Sequence, residues 1–133
     1  MRTISYLQRY GGIELAVRRL GDGIPFVWGH SLMGSVRVED RAALWDWSGI
    51  ERHVQVVRYD ARGHGNSDGS YKREDYCWDR MAADMLAVSD YFIESCGESR
   101  CLLGGISMGA ATALEAATQA PDKVCGLVLA LPP

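Results

Sequence analysis

Apolar and polar positions divide the chain into short alternating segments. Ile13-Glu14-Leu15-Ala16-Val17-Arg18 alternates in the manner of an antiparallel strand with one buried face. Residues 3–8 precede it across Tyr10-Gly11-Gly12, a turn signal, so 3–8 and 13–19 are predicted to form a hairpin. Ile24-Pro25-Phe26-Val27-Trp28 is a continuous apolar run, which suits a strand covered on both faces. Residues 39–48 are predicted to form a helix, with Leu44, Trp45 and Trp47 on its apolar side and Gly49 as its stop. His53 to Tyr59 is rich in β-branched residues and predicts a strand. Tyr76, Met81, Met85, Val88, Tyr91 and Phe92 recur at helical spacing and predict a helix over 73–96, closed by Gly97. Arg100 to Gly104 predicts a strand, Met108 to Ala120 a helix stopped by Pro121, and Val124 to Leu131 a buried strand.

The predicted order is β-β-β-α-β-α-β-α-β. Alternation of strands and helices after residue 24 implies an α/β fold: a mainly parallel, doubly wound sheet with the N-terminal antiparallel hairpin at one edge. No repeat, linker or composition break appears, so residues 1–133 are read as one unit. Net charge is −3 with no basic block, which argues against nucleic acid or an anionic membrane as partner. No apolar run approaches the roughly 20 residues of a membrane span, and Met1-Arg2-Thr3-Ile4-Ser5-Tyr6 lacks a signal-peptide core, so a cytoplasmic location is expected. The cysteines, Cys77, Cys96, Cys101 and Cys125, show neither a paired motif nor zinc spacing and are read as free thiols, with Cys101 and Cys125 in buried strands. No metal and no cofactor are expected, and no phosphate-loop motif occurs.

Chemistry concentrates in three glycine-bracketed loops at the C-terminal ends of predicted parallel strands: 29–34, 60–69 and 105–109. Ligands bind outside those ends in open α/β sheets. Gly105-Ile106-Ser107-Met108-Gly109 stands between a strand and a helix, the context of a G-x-S-x-G nucleophile elbow. A serine there sits on a strained turn at a helix N-terminus, where free N–H groups favour developing negative charge. Among the histidines, His30 and His64 are read as loop-stabilising and His53 as a surface residue. Asp60 and Arg62 are read as loop pins, Asp84 and Asp90 as members of a solvated helix face, and Trp45 and Trp47 as core.

With these residues in place, the chain resembles the N-terminal half of the α/β-hydrolase superfamily. His30-Ser31-Leu32-Met33-Gly34 is similar to the H-G-x-x-G oxyanion loop, with Ser31 at the usual glycine. Asp60-Ala61-Arg62-Gly63-His64-Gly65-Asn66-Ser67 is similar to the D-x-R-G-x-G-x-S loop, and Gly105 to Gly109 matches the elbow. The resemblance implies Ser107 as nucleophile, with the backbone N–H groups of Leu32 and Met108 as oxyanion hole and Gly105 and Gly109 as elbow glycines. It implies an acyl-serine mechanism on a small-molecule ester or lactone. A serine rather than an aspartate at the elbow argues against the dehalogenases and epoxide hydrolases of this fold.

The superfamily places its acid and then its histidine after the serine. Here Glu115 and Asp122 are the acids that follow Ser107, both read as surface positions, and no histidine follows it. The expectation is therefore a truncated α/β-hydrolase core without cap or C-terminal strands, inactive alone. The alternative is a non-catalytic binding or assembly module, self-pairing as a homo-oligomer or complemented by a second chain along the exposed C-terminal strand.

Overall fold

Six strands form one sheet in the order β1-β2-β4-β3-β5-β6. The structure is a computed structural model that describes residues 5–8 by their backbone and residues 12–133 with side chains. The elements are β1 (Ser5–Gln8), β2 (Glu14–Leu20), β3 (Pro25–Gly29), α1 (Val36–Arg41), β4 (Gln55–Tyr59), α2 (Trp78–Cys96), β5 (Cys101–Ile106), α3 (Met108–Gln119) and β6 (Val124–Ala130). β1 pairs with β2 and β2 with β4 in antiparallel register, and the remaining pairs are parallel. The mixed sheet and the element order are those expected from the sequence. Residues 3 and 4 of the expected hairpin, and Tyr10 and Gly11 of its turn, lie outside the described residues.

The chain moves outward from β3 to β4, then back past β3 to β5 and on to β6. Right-handed crossovers with that reversal place α1 on one face and α2 and α3 on the other. Leu15, Val17, Val27, Val57, Tyr59 and Leu103 pack with Met81, Met85 and Val88 of α2 on one side. Phe26, Trp28, Val54 and Val56 form the core of the other.

The helix expected over 39–48 is instead α1, Val36–Arg41. Its start is fixed by Ser35, whose side chain accepts from the Val38 N–H at 3.1 Å, and by the Asp60 carboxylate, which accepts from the Val36 N–H at 2.8 Å. Ala43, at φ 50°, turns the chain out of the helix. The aromatic residues that suggested a helical stripe pack from an irregular segment: Trp45 lies 5.0 Å from Trp28, and Trp47 6.3 Å from Phe26, both edge to face. Beneath them, the buried Glu39 accepts from Trp28 Nε1 at 3.3 Å and faces Arg58 at 3.5 Å. Burial pushes the Glu39 carboxyl above its usual range, with Arg58 opposing the shift.

α2 begins at Trp78, after a 3-10 turn at Arg73–Tyr76 and an extended Cys77, and ends as expected at Gly97 in the left-handed conformation. Asp84, read from the sequence as solvated, is buried at 1% exposure. Asp90 is on the surface, paired with Lys123 at 2.7 Å. β6, expected to be buried, is largely open: Leu127 is 40% and Val128 51% exposed. Among the described residues its one hydrogen-bonded neighbour is β5. Cys125 is consequently exposed, as are Cys77 and Cys96, whereas Cys101 is buried and its thiol is pushed up to about 11, chiefly by burial. Brief alkylation of the native protein is expected to modify Cys77, Cys96 and Cys125 and spare Cys101, and intact mass before and after denaturation checks this. Among the described residues no helix is long and apolar enough to cross a membrane, and no group of His, Cys, Asp and Glu is placed to hold a metal.

Candidate active site

β5 runs into Ser107, whose backbone is held at φ 51°, ψ −112°. That region is costly for a residue with a Cβ, and it occurs where the surroundings over-determine the turn. The Ser107 N–H donates to Ala130 O of β6 at 3.0 Å, and its carbonyl accepts from Ala111 N–H at 3.0 Å, opening α3. Ser107 occupies the N-cap position yet its side chain caps nothing, unlike Ser35 at α1. Its hydroxyl is free of local duty. Exchanging Ser107 for glycine is expected to raise stability by about 1 kcal/mol through relief of this strain, as urea denaturation would record.

Three glycines allow the turn. Gly29 and Gly105 are paired across β3 and β5. A Cβ on Gly105 would fall on the Gly109 carbonyl carbon, and one on Gly109 would fall on the Gly29 carbonyl oxygen. The sequence singled out Gly105 and Gly109. Gly29 joins them because the α3 N-terminus nests against the end of β3.

The loops after β3 and β4 are knitted together beside this elbow. His30 is buried, and its Nε2 accepts from the Ala61 N–H at 2.9 Å. Nδ1 therefore carries the proton and donates to Ser31 O at 2.7 Å. Burial is the largest influence on His30 and pulls its pKa below the ordinary value, with the Ser31 hydrogen bond opposing it. The unfolded chain then binds more protons than the folded one as pH falls through the ordinary histidine range near 6.5. Stability from this group is present above that range and is lost on acidification. Denaturant titrations at pH 7.5 and pH 5.5 are expected to show lower stability at the acidic value, with a smaller difference in His30→Gln.

His64 Nε2 lies 2.7 Å from Leu32 O, and its Nδ1 lies 3.0 Å from Arg62 O. Its ring sits 5.0 Å from that of His30. Gly34 N–H closes the turn by donating to Ser31 O at 2.9 Å. Asp60 accepts from Val36 N–H and, at 2.9 Å, from Asn66 N–H, so one carboxylate ties α1 to the loop after β4. A Cβ at Gly65 would strike that carboxylate. Arg62 is pinned as expected, but to Asp84 of α2, at 2.6 and 2.8 Å, and to Asp75 O at 3.0 Å.

The result is a cavity of about 320 Å3 lined by Leu32, His64, Tyr76, Trp78, Met81, Ser107, Met108 and Pro133. The structure brings Leu32, Ser107 and Met108 to one place. Tyr76, Trp78 and Met81 are the lining residues the sequence did not reveal. Tyr76 and Met81 were hidden in a helical stripe read as core, yet Tyr76 is 39% exposed; Trp78, outside that stripe, is 50% exposed. Glu115 is half-buried and Asp122 exposed, and neither lines the cavity.

A doubly wound mixed sheet with a strained serine elbow between adjacent strand-end loops defines an α/β-hydrolase core. Residues 50–133 match the family described as serine aminopeptidase, S33, and the chain belongs to that family. Similar solved structures include a hydrolase from Pseudomonas aeruginosa, 27% identical with TM-score 0.77 over 95% of this chain and 44% of that one. An epoxide hydrolase variant from Bacillus megaterium is 22% identical, with TM-score 0.79 over 97% of this chain and 42% of that one. Epoxide hydrolase A from Mycobacterium thermoresistibile is 19% identical, with TM-score 0.78 over 97% and 39%. The chain thus spans less than half the length of these structures. Comparison with curated proteins finds no match.

Proposed function

We propose that the whole protein is a serine hydrolase that cleaves small carboxylic esters or lactones through an acyl-Ser107 intermediate. The observation that carries this reading is the Ser107 backbone at φ 51°, with a hydroxyl that caps nothing and lines a cavity of about 320 Å3. Ser107 Oγ would attack the substrate carbonyl carbon and pass its proton to a base, which gives it to the departing alcohol oxygen (tethered to the acyl group in a lactone). Water, losing a proton to the same base, then attacks the acyl carbon, and the acid is released as Ser107 Oγ regains its proton. The N–H groups of Leu32 and Met108 are assigned to the developing oxyanion, a contribution of about 3–4 kcal/mol to the barrier. The cavity lining favours an apolar acyl group. The similar epoxide hydrolases share the fold; the serine here fits acyl transfer, as does the family's own description. An amide at a peptide N-terminus would pass through the same steps.

His30 spends both ring nitrogens on Ser31 and Ala61, and the two nitrogens of His64 face carbonyl oxygens. We therefore assign the base and its carboxylate to groups outside residues 1–133. A cytoplasmic setting suits four unpaired cysteines. With p-nitrophenyl acetate, residues 1–133 are expected to give at most a trace rate. The full-length hydrolase is expected to turn over and to lose at least about a thousandfold of its rate in Ser107→Ala. Robust Ser107-dependent turnover by residues 1–133 would overturn the assignment of the base, and full activity in Ser107→Ala would overturn the mechanism.

A second reading is favoured by the exposed Leu127, Val128 and Leu131 at 40%, 51% and 76%. On this reading β6 pairs with a further strand from a second copy or a complementing chain. Sedimentation of residues 1–133 as a soluble monomer counts against it.

A further inference from the structure

The loop after β3 has little apolar anchorage, for Leu32 is 62% and Met33 89% exposed. Hydrogen bonds place its backbone instead. Ser31 O and the Leu32 N–H belong to one planar peptide unit. Ser31 O accepts from His30 Nδ1–H at 2.7 Å and from Gly34 N–H at 2.9 Å. The next carbonyl, Leu32 O, lies 2.7 Å from His64 Nε2, in the loop after β4. A carbonyl oxygen only accepts, so this contact requires a proton on Nε2. The two peptide units that meet at Leu32 Cα are thus both held, one of them from a different loop.

His64 is itself fixed in place. Gly63 and Gly65 on either side of it have φ 74° and 47°. The His64 N–H donates to Ala61 O at 2.9 Å, and its carbonyl accepts from Ser67 N–H at 3.0 Å. The Ala61 N–H in turn donates to His30 Nε2 at 2.9 Å. Hydrogen bonds therefore run in a closed circuit from Ser31 O through His30, Ala61 and His64 to Leu32 O. His64 and Leu32 bring that circuit to the cavity that Ser107 and Met108 line.

We propose that His64 is a positioning residue for acyl transfer at Ser107: its Nε2–H, through Leu32 O, keeps the Leu32 N–H aimed at the developing oxyanion. The inference rests on the hydrolase reading above and adds to it a residue that acts through Leu32. An oxyanion donor is effective when it is already aimed at the charge that develops, so a loosened Leu32 peptide costs rate rather than substrate binding. The other nitrogen, Nδ1, lies 3.0 Å from Arg62 O. The two contacts are separable by substitution, because an asparagine amide nitrogen takes the place of Nδ1 and a glutamine one the place of Nε2.

The test is hydrolysis of p-nitrophenyl acetate by the whole protein and its His64→Asn, His64→Gln and Ser107→Ala variants. Inhibition by a trifluoromethyl ketone, which adds to a serine hydroxyl as a tetrahedral oxyanion, is measured beside it. His64→Asn is expected to lower kcat and kcat/KM together by about ten- to a hundredfold, less than the loss of a whole donor, and to weaken the ketone in proportion. His64→Gln is expected to recover kcat to within about threefold of the parent. A residue that only stabilised the fold would move the urea midpoint and leave kcat of the folded enzyme unchanged. Unchanged kcat in folded His64→Asn overturns the inference. So does a rise in KM alone, which would make His64 a substrate contact, or a His64→Gln as slow as His64→Asn. If His64→Asn does not fold, a folded His64→Gln slowed by more than about tenfold overturns it. Full activity in Ser107→Ala overturns the hydrolase reading itself, whereas an inactive Ser107→Ala beside a fully active His64→Asn overturns the role of His64 alone.

Discussion

Asp84→Ala is expected to cost about 3–5 kcal/mol of folding stability, read as a fall in the urea midpoint. The Asp84 carboxylate takes two hydrogen bonds from Arg62, at 2.6 and 2.8 Å, with the side chains 2% and 4% exposed. Removing the carboxylate leaves a guanidinium out of reach of water, and that uncompensated charge accounts for most of the loss. The third Arg62 contact, to Asp75 O, holds the turn that carries Tyr76 to the cavity. The damage should therefore reach the Ser107 site, although Asp84 does not line it. Replacing both partners, as Arg62→Met with Asp84→Leu, is expected to recover most of the stability, because apolar groups of similar size remove the charge and its partner together. A loss below about 1 kcal/mol in Asp84→Ala would show that water or a neighbouring group satisfies Arg62, and would sink the argument.

Much of this arrangement was legible from residues alone, because the relevant signals are local. Glycines around Ser107, a strand before it and a helix after it require no tertiary knowledge to recognise. The element order, the mainly parallel sheet and the antiparallel hairpin at its edge followed from the alternation of strand-like and helix-like segments, whereas the order of strands within the sheet was not read from the sequence. Three features resisted. Asp84 sits on a helix where a carboxylate ordinarily faces water, and its burial depends on Arg62, 22 positions away. The span 39–48 carries helix-like apolar spacing, but Ser35 and Asp60 start the helix early and Ala43 ends it, leaving two tryptophans to pack from a loop. Tyr76 belongs by spacing to the stripe of α2 but stands in the 3-10 turn ahead of that helix, and Trp78, outside the stripe, opens the helix; both line the cavity with Ser107. In the first two cases a long-range polar contact outweighed the local pattern, which periodicity cannot register.

Gly109→Ala is expected to destabilise the protein by about 3 kcal/mol or more, at the upper end of overpacking substitutions. A Cβ there would fall on the Gly29 carbonyl oxygen, and the neighbouring Gly29 Cα would stand at 2.9 Å. Neither is the end of a flexible side chain. Gly29 is held in β3 opposite Gly105 of β5, so the sheet cannot yield without loss of pairing. The helix must move instead, taking Met108 and the Ser107 turn with it. Gly97→Ala supplies the comparison. Gly97 has φ 73° and open space where a Cβ would go, so the substitution should cost only the conformational penalty of about 1 kcal/mol. The excess of Gly109→Ala over Gly97→Ala measures the close approach of α3 to β3, by urea denaturation of both variants. Equal losses would mean that this approach is not tight. The two glycines should also differ in function. On the proposed function, and under conditions where both variants remain folded, Gly109→Ala should lose the Ser107-dependent turnover of the whole protein and Gly97→Ala should retain it. The first displaces the helix N-terminus that carries the Met108 N–H, whereas the second alters only the far end of α2.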